Sequence, residues 1–167
     1  SRGCPFLCSF CSETINWGGY RKKEAKQAAE EMLKIYRAYG YQLFLMGDSL
    51  INPVVTGLSE ELLKFDTTLY WDSYLRADKH VCDSEKTTLW RRAGFYRARL
   101  GLESGSPRVL KLMGKKITVQ QIKDAVSSLA NAGIKTTTYW IVGYPGETEN
   151  DFLQTLALIE SLRDNIY

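Results

Sequence analysis

Three times in this chain a stretch of helical periodicity runs into a glycine and is followed at once by residues that favour a strand. Lys22 to Tyr39 places apolar side chains at Ala25, Ala29, Met32, Tyr36 and Tyr39, alternating steps of four and three, which is one face of an amphipathic helix. Gly40 stops that helix, and Tyr41 to Met46 reads as a buried strand. A helix over Ser84 to Ala93 is closed by Gly94 ahead of a strand over Tyr96 to Glu103. Thr118 and Gln121 form a capping box before Val119, Ile122, Val126 and Leu129; that helix ends at Gly133, and a strand over Ile134 to Val142 follows. Between the first two units, Ser59 to Lys64 reads as a helix and Leu69 to Arg76 as a strand. Ser104-Gly105-Ser106-Pro107 opens a further helix, and Thr148 with Asp151 caps a last one.

Four strands alternating with about five helices require right-handed βαβ crossovers and a parallel sheet. In such sheets, open or closed into a barrel, ligands gather at the carboxyl ends of the strands. Asp48, Glu103 and Gly143 all fall at such ends. The expected architecture is therefore α/β, with one core for the 167 residues.

Composition narrows the chemistry. Lys and Arg number 22 against 19 Asp and Glu, and the resulting charge of +3 is spread along the chain, so nothing in it supports nucleic-acid binding. No run approaches the roughly 20 apolar residues of a membrane helix, and Ser1-Arg2-Gly3-Cys4 has no apolar signal core, which points to a cytoplasmic protein. The single histidine, His80, excludes tri-histidine zinc sites and HExxH proteases.

Three of the four cysteines are crowded into Cys4-Pro5-Phe6-Leu7-Cys8-Ser9-Phe10-Cys11, a CxxxCxxC spacing, while Cys82 stands apart. Thiolates are soft ligands suited to iron–sulfur clusters, and three on one short loop can hold three irons of a cubane, leaving the fourth without a protein ligand. The residues alone leave open three structural cysteines or an incomplete zinc knuckle. They also leave open an electron-transfer cluster completed by a fourth ligand, for which Cys82 is the candidate.

The chain resembles the radical S-adenosylmethionine (radical SAM) superfamily, whose signature is CxxxCxΦC with Φ aromatic, here Phe10. The resemblance extends through Met46-Gly47-Asp48, Gly101-Leu102-Glu103-Ser104-Gly105-Ser106 and Ile141-Val142-Gly143-Tyr144-Pro145-Gly146-Glu147-Thr148. It implies a partial TIM-like βα barrel, a [4Fe-4S] cluster on Cys4, Cys8 and Cys11, and S-adenosylmethionine chelated to the open iron. One electron then cleaves the sulfonium to methionine and a 5′-deoxyadenosyl radical, which abstracts hydrogen from substrate.

Residue by residue, Phe10 matches the aromatic beside the adenine. Asp48 matches an acidic acceptor for the methionine ammonium, a shorter acid than the family's Glu, and could instead be a turn or capping aspartate. Glu103 and Ser104 match polar residues near the ribose and methionine carboxylate, with capping of the next helix as the alternative. Ile141 and Gly143 match the adenine-contacting strand end, although the longer GxIxGxxE pattern is met only in part, with Tyr139 for its first glycine and Glu147 one place late. Arg76 matches a partner for the methionine carboxylate, or else is a solvated or structural arginine.

The motif style is similar to the subgroups that include cobalamin-binding radical SAM proteins and methylthiotransferases. This implies methyl transfer or another radical modification of an unidentified substrate, an external flavodoxin- or ferredoxin-type electron donor, and cobalamin on a domain outside this chain. Against a six-unit family barrel the chain looks truncated at both ends, so exposed sheet edges are expected to favour homo-oligomers. Cys82 reads as a small buried side chain, His80 is too loosely placed to make a Cys-His dyad with it, and the lysines from Lys111 to Lys116 read as a solvated helix end.

Overall fold

The computed structural model describes residues 1–167, apart from the side chain of Thr14. In chain order the elements are α1 (Glu13–Trp17), α2 (Ala25–Tyr39), β1 (Leu43–Leu45), α3 (Val55–Leu62), β2 (Tyr70–Arg76), α4 (Ser84–Arg92), β3 (Phe95–Glu103), α5 (Pro107–Leu112), α6 (Val119–Asn131), β4 (Lys135–Trp140) and α7 (Glu149–Leu162), with a closing 3-10 turn at Arg163–Asn165. The four strands are parallel and lie in sequence order, β1-β2-β3-β4. Gly40 caps α2 at φ 74° with its N–H on the Tyr36 carbonyl, so the helix stops where a left-handed residue is free to form. Both capping boxes are formed, Thr118 with Gln121 on α6 and Thr148 with Asp151 on α7.

Two elements depart from the sequence expectation. β1 covers only Leu43–Leu45 and is not buried, since Leu43 and Leu45 are 57% and 68% exposed. It is the sheet edge and turns these leucines to the face opposite the helices. α3 begins at Val55, because Gly57 does not break it; there a Cβ would stand 3.3 Å from the Ala25 Cβ, so the glycine lets α2 and α3 approach. Short α1 carries no apolar periodicity long enough to be seen in the sequence.

The core lies between the sheet and its helices. Trp71, Ala98, Leu100 and Leu102 point from β2 and β3 to the helix side and are fully buried, facing Ile122, Val126 and Leu129 of α6 and the fully buried Trp90 of α4. The register pairs Asp72 with Arg97, Tyr74 with Arg99, and Arg76 with Gly101, with irregularities at Trp71/Asp72 and Gly101/Glu103. The opposite face thus carries Asp72, Tyr74, Arg76, Arg97, Arg99, Gly101, Glu103 and Tyr139. No helix among the described residues is long and apolar enough to cross a membrane.

The loop after β3 is tied to α7. Ser106 caps α5 and donates to Asp151, which also accepts from Arg108 and from the N–H and hydroxyl of Thr148 at 2.9 and 2.6 Å. These donors, the Arg108 guanidinium first, hold the Asp151 carboxyl well below the usual carboxylate range. A depressed native pKa gives stability that is complete above the unfolded value of about 3.9 and is lost as pH falls toward the native one. Asp151→Asn is therefore expected to lower the urea midpoint at neutral pH and to narrow its gap to wild type below about pH 4. An unchanged gap across that range would show that the carboxylate is not linked to folding.

Candidate functional site

The cysteine loop is pinned by backbone. Arg2 and Arg21 exchange both N–H···O bonds, the Ser9 N–H donates to the Met113 carbonyl at 3.0 Å, and the Ser9 hydroxyl lies 2.7 Å from the Tyr144 hydroxyl. The N–H of Cys11 closes a turn onto the Cys8 carbonyl at 3.1 Å. These ties seat the loop over the carboxyl ends of β2, β3 and β4. Cys4, Cys8 and Cys11 are free and half-buried, and together line a cavity of about 240 Å³.

Phe10, Arg76 and Glu103 line the same cavity, joined by Ser49, Leu50, Tyr74, Gly101, Lys115 and Tyr139. Arg76 is 5% exposed, which removes the solvated reading of it. Its Nη1 stands 3.6 Å from Cys8 Sγ and its guanidinium lies 4.1 Å from the Phe6 ring centre. Its Nη2 is buried and has no partner. A buried guanidinium nitrogen without an acceptor is costly unless something fills the space before it.

Glu103 adopts φ 67°, a left-handed conformation that a side chain bearing a Cβ rarely takes, and is buried. That twist turns its carboxylate into the cavity, where Oε1 accepts from Lys115 Nζ at 2.8 Å. Lys115 is itself buried and lies 5.6 Å from the Phe10 ring centre. The expectation of a solvated lysine patch is thus corrected at Lys115: the turn after α5 carries it back over β3. Gly101 makes room for this pair, since a Cβ there would fall 2.4 Å from Glu103 Oε1.

The other residues singled out in the sequence stand elsewhere. Asp48 lines a larger cavity of about 680 Å³ with Met32, Phe44, Met46 and Ile51. That cavity is the roomier one, but the thiols and the orphaned guanidinium face the smaller. Ser104 is fully buried, bonded to Thr155 and to the N–H of Ser106, and so fastens the loop to α7; the helix cap is Ser106. Ile141 lies just past β4, its N–H on the Glu103 carbonyl, and Gly143 turns the chain at φ 78°.

Cys82 is away from the loop. Its thiol donates to the carbonyls of Asp78 and Gln121 at 3.3 and 3.5 Å, while His80 Nδ1 lies 3.3 Å from Lys86 Nζ. Neither a fourth ligand nor a Cys-His dyad is formed.

Burial pushes the Cys4 thiol up; the Phe6 backbone and the Arg76 guanidinium oppose this, and Cys11 and Cys8 add to it. Among the described residues, no three His, Cys, Asp or Glu side chains are grouped so as to hold one metal ion. A cluster asks for something else, because each thiolate binds its own iron, and a loop presenting three thiols to one cavity beside an orphaned donor fits it.

Residues 1–159 match the Radical SAM superfamily. The chain belongs to that superfamily. This radical SAM domain is 30% identical over 161 residues to the anaerobic magnesium-protoporphyrin IX monomethyl ester cyclase of Rubrivivax gelatinosus, covering 95% of this chain and 29% of the relative. It is 26% identical to the tRNA-2-methylthio-N(6)-dimethylallyladenosine synthase of Staphylococcus epidermidis, covering 96% of this chain and 34% of the relative. The chain therefore spans about a third or less of these relatives' length.

Among solved structures, the domain superposes with a TM-score of 0.84 on the cobalamin-dependent S-adenosylmethionine radical enzyme OxsB, solved with aqua-cobalamin and S-adenosylmethionine bound. Identity there is 23%, over 95% of this chain and 25% of that one. The same score is reached with the radical S-adenosylmethionine methyltransferase TsrM of Kitasatospora setae, solved with cobalamin and a [4Fe-4S] cluster bound, at 22% identity over 96% of this chain and 31% of that one. At these identities the likeness establishes the fold, a partial TIM-type barrel of parallel strands.

Proposed function

We propose that this domain holds a [4Fe-4S] cluster on Cys4, Cys8 and Cys11 and binds S-adenosylmethionine beside it, as the catalytic part of an enzyme for methyl transfer or another radical modification. The observation that carries this reading is the shared cavity, in which three thiols on one loop meet the buried, unpartnered Nη2 of Arg76. When bound, the cluster supplies the one electron that splits S-adenosylmethionine into methionine and a 5′-deoxyadenosyl radical.

The chain's own residues do the rest. Arg76 offers a charge-assisted donor to the methionine carboxylate and a positive charge beside Cys8. Glu103, held by Lys115, offers an acceptor for ribose hydroxyls, and Phe10 an apolar wall for the adenine. Leu50, Leu75 and the tyrosines Tyr74 and Tyr139 line the cavity and limit water near a reactive radical. Ile141 and Gly143, just past β4, complete the proposed set for the adenine, whereas Asp48 lines the larger cavity and Ser104 is buried against Thr155, which leaves both outside it.

The electron comes from an external flavodoxin- or ferredoxin-type donor. Both solved neighbours hold cobalamin, which supports a cobalamin bound outside these 167 residues. The alternative of an electron-transfer cluster is disfavoured by the placement of Cys82, since such a cluster wants four protein ligands.

The test is anaerobic. The full protein, reconstituted with iron and sulfide and reduced, is given S-adenosylmethionine, and 5′-deoxyadenosine is assayed by chromatography. Product is expected; a protein carrying its full cluster that yields none overturns the reading.

A further inference from the structure

Below the cysteine cavity the open face of the sheet carries a charge imbalance. Asp72 of β2 is fully buried, and the guanidinium groups of both Arg97 and Arg99 from β3 converge on its carboxylate, Arg97 Nε at 3.1 Å and Arg99 Nη2 at 2.8 Å. Among the described residues no second carboxylate reaches either arginine. One positive charge is left over. A purely structural triad would be expected to satisfy its donors, yet Arg99 Nε is buried without an acceptor and the Arg97 side chain is 36% exposed.

The surroundings say what the surplus charge is for. The Arg99 guanidinium lies 4.1 Å from the Tyr74 ring centre, and Tyr74 pairs with Tyr139 at 5.8 Å between ring centres. Both tyrosines are part-exposed and also line the cysteine cavity, so the aromatic pair joins the arginines to the site of chemistry. On the other side Leu45, in register with Asp72, is exposed and apolar. Along β3 Arg99 and Glu103 are separated by about 13 Å at the strand repeat, which is the span of a small organic molecule.

We infer that this face is the substrate site and that it takes an organic anion with an aromatic or apolar body, its carboxylate or phosphate on the part-exposed Arg97 and its body on Tyr74 and Tyr139. Arg97 turns Nε and Nη2 to Asp72 and keeps Nη1 for such a group. Arg99, whose Nη2 also donates to the Met46 carbonyl at 2.7 Å, adds its charge from behind, and the tyrosines match a flat or apolar body. The role as substrate site rests on the radical SAM reading of the cavity; the binding itself does not.

The probe is 2-naphthoate, compared by calorimetry on the full protein with the neutral 2-naphthamide of the same shape and with 2-naphthyl phosphate. Naphthoate is expected to bind at least about tenfold more tightly than the amide, the worth of one charge-assisted contact, and to weaken with added salt. The phosphate arm decides which anion is preferred. Arg97→Gln should weaken naphthoate about tenfold, whereas Asp72→Asn, which enlarges the charge surplus, should tighten it.

The opposite signs separate a charge effect from general unfolding, and the naphthoate-amide comparison on wild type stands if either variant fails to fold. Equal binding of acid and amide, no binding of naphthoate up to millimolar concentration, or its displacement by S-adenosylmethionine overturns the inference. 5′-Deoxyadenosine formed by a protein without anion preference would sink this site and leave the radical reading in place. Anion binding without 5′-deoxyadenosine would do the reverse.

Discussion

Cys8→Ala is expected to abolish 5′-deoxyadenosine formation, a drop of about a thousandfold or more, on the order of 4 kcal/mol in barrier terms. Its sulfur is the one that Arg76 Nη1 reaches, and its carbonyl closes the turn that brings Cys11 round. Removing the thiol takes away one of three protein ligands while leaving that backbone turn intact, so the loop keeps its ties and only the cluster is lost. Cys82→Ser is the matched control. That side chain is bonded to the Asp78 and Gln121 carbonyls, outside the cavity, and its replacement should leave cluster content and product unchanged. Iron and sulfide counted alongside product check both; a Cys8→Ala protein with full cluster and full activity would remove Cys8 from the ligand set.

Trp71→Ala is expected to cost about 4 kcal/mol of folding stability. The Trp71 side chain is fully buried, stacked on Phe95 with 4.4 Å between ring centres, and its Nε1 donates to the Ala93 carbonyl at 3.0 Å. Truncation leaves a cavity under the centre of the sheet and a buried carbonyl without its donor, and the two costs add. Against a total stability of about 5–15 kcal/mol this is a large share, and in a chain of this size it lowers Tm by roughly 10 °C. Trp71→Phe keeps most of the volume and loses the hydrogen bond, so its loss should be less than half as large. Thermal unfolding of the two variants measures this; a Trp71→Ala protein within about 1 kcal/mol of wild type would show that the core lies elsewhere.

The βα alternation was legible because its punctuation is local. Gly40 and the two capping boxes act within one turn of chain, so the residues that specify them are neighbours in sequence. The CxxxCxxC loop was legible for the same reason: its three cysteines lie within eight residues. What sequence could not supply was which side of the sheet a residue faces. Tyr41 to Met46 has the apolar run of a buried strand, yet Leu43 and Leu45 look outward from an edge.

Lys115 shows the same limit more sharply. A lysine among lysines reads as solvated, and only the left-handed twist at Glu103 and the missing side chain at Gly101 bury it against a carboxylate. Arg97 and Arg99 did leave a trace, because β3 alternates charged or small residues with Ala98, Leu100 and Leu102. Their partner Asp72 comes from another strand, through a register that contains an irregularity no local pattern announces.

The most direct measurement of the central claim, a three-thiolate cluster with an iron left open for S-adenosylmethionine, is the electron paramagnetic resonance spectrum of the reduced, reconstituted protein with and without S-adenosylmethionine. The account predicts a cluster signal that shifts when S-adenosylmethionine is added and is lost in Cys4→Ala, Cys8→Ala and Cys11→Ala. A fully assembled cluster whose spectrum is the same with and without S-adenosylmethionine would contradict it.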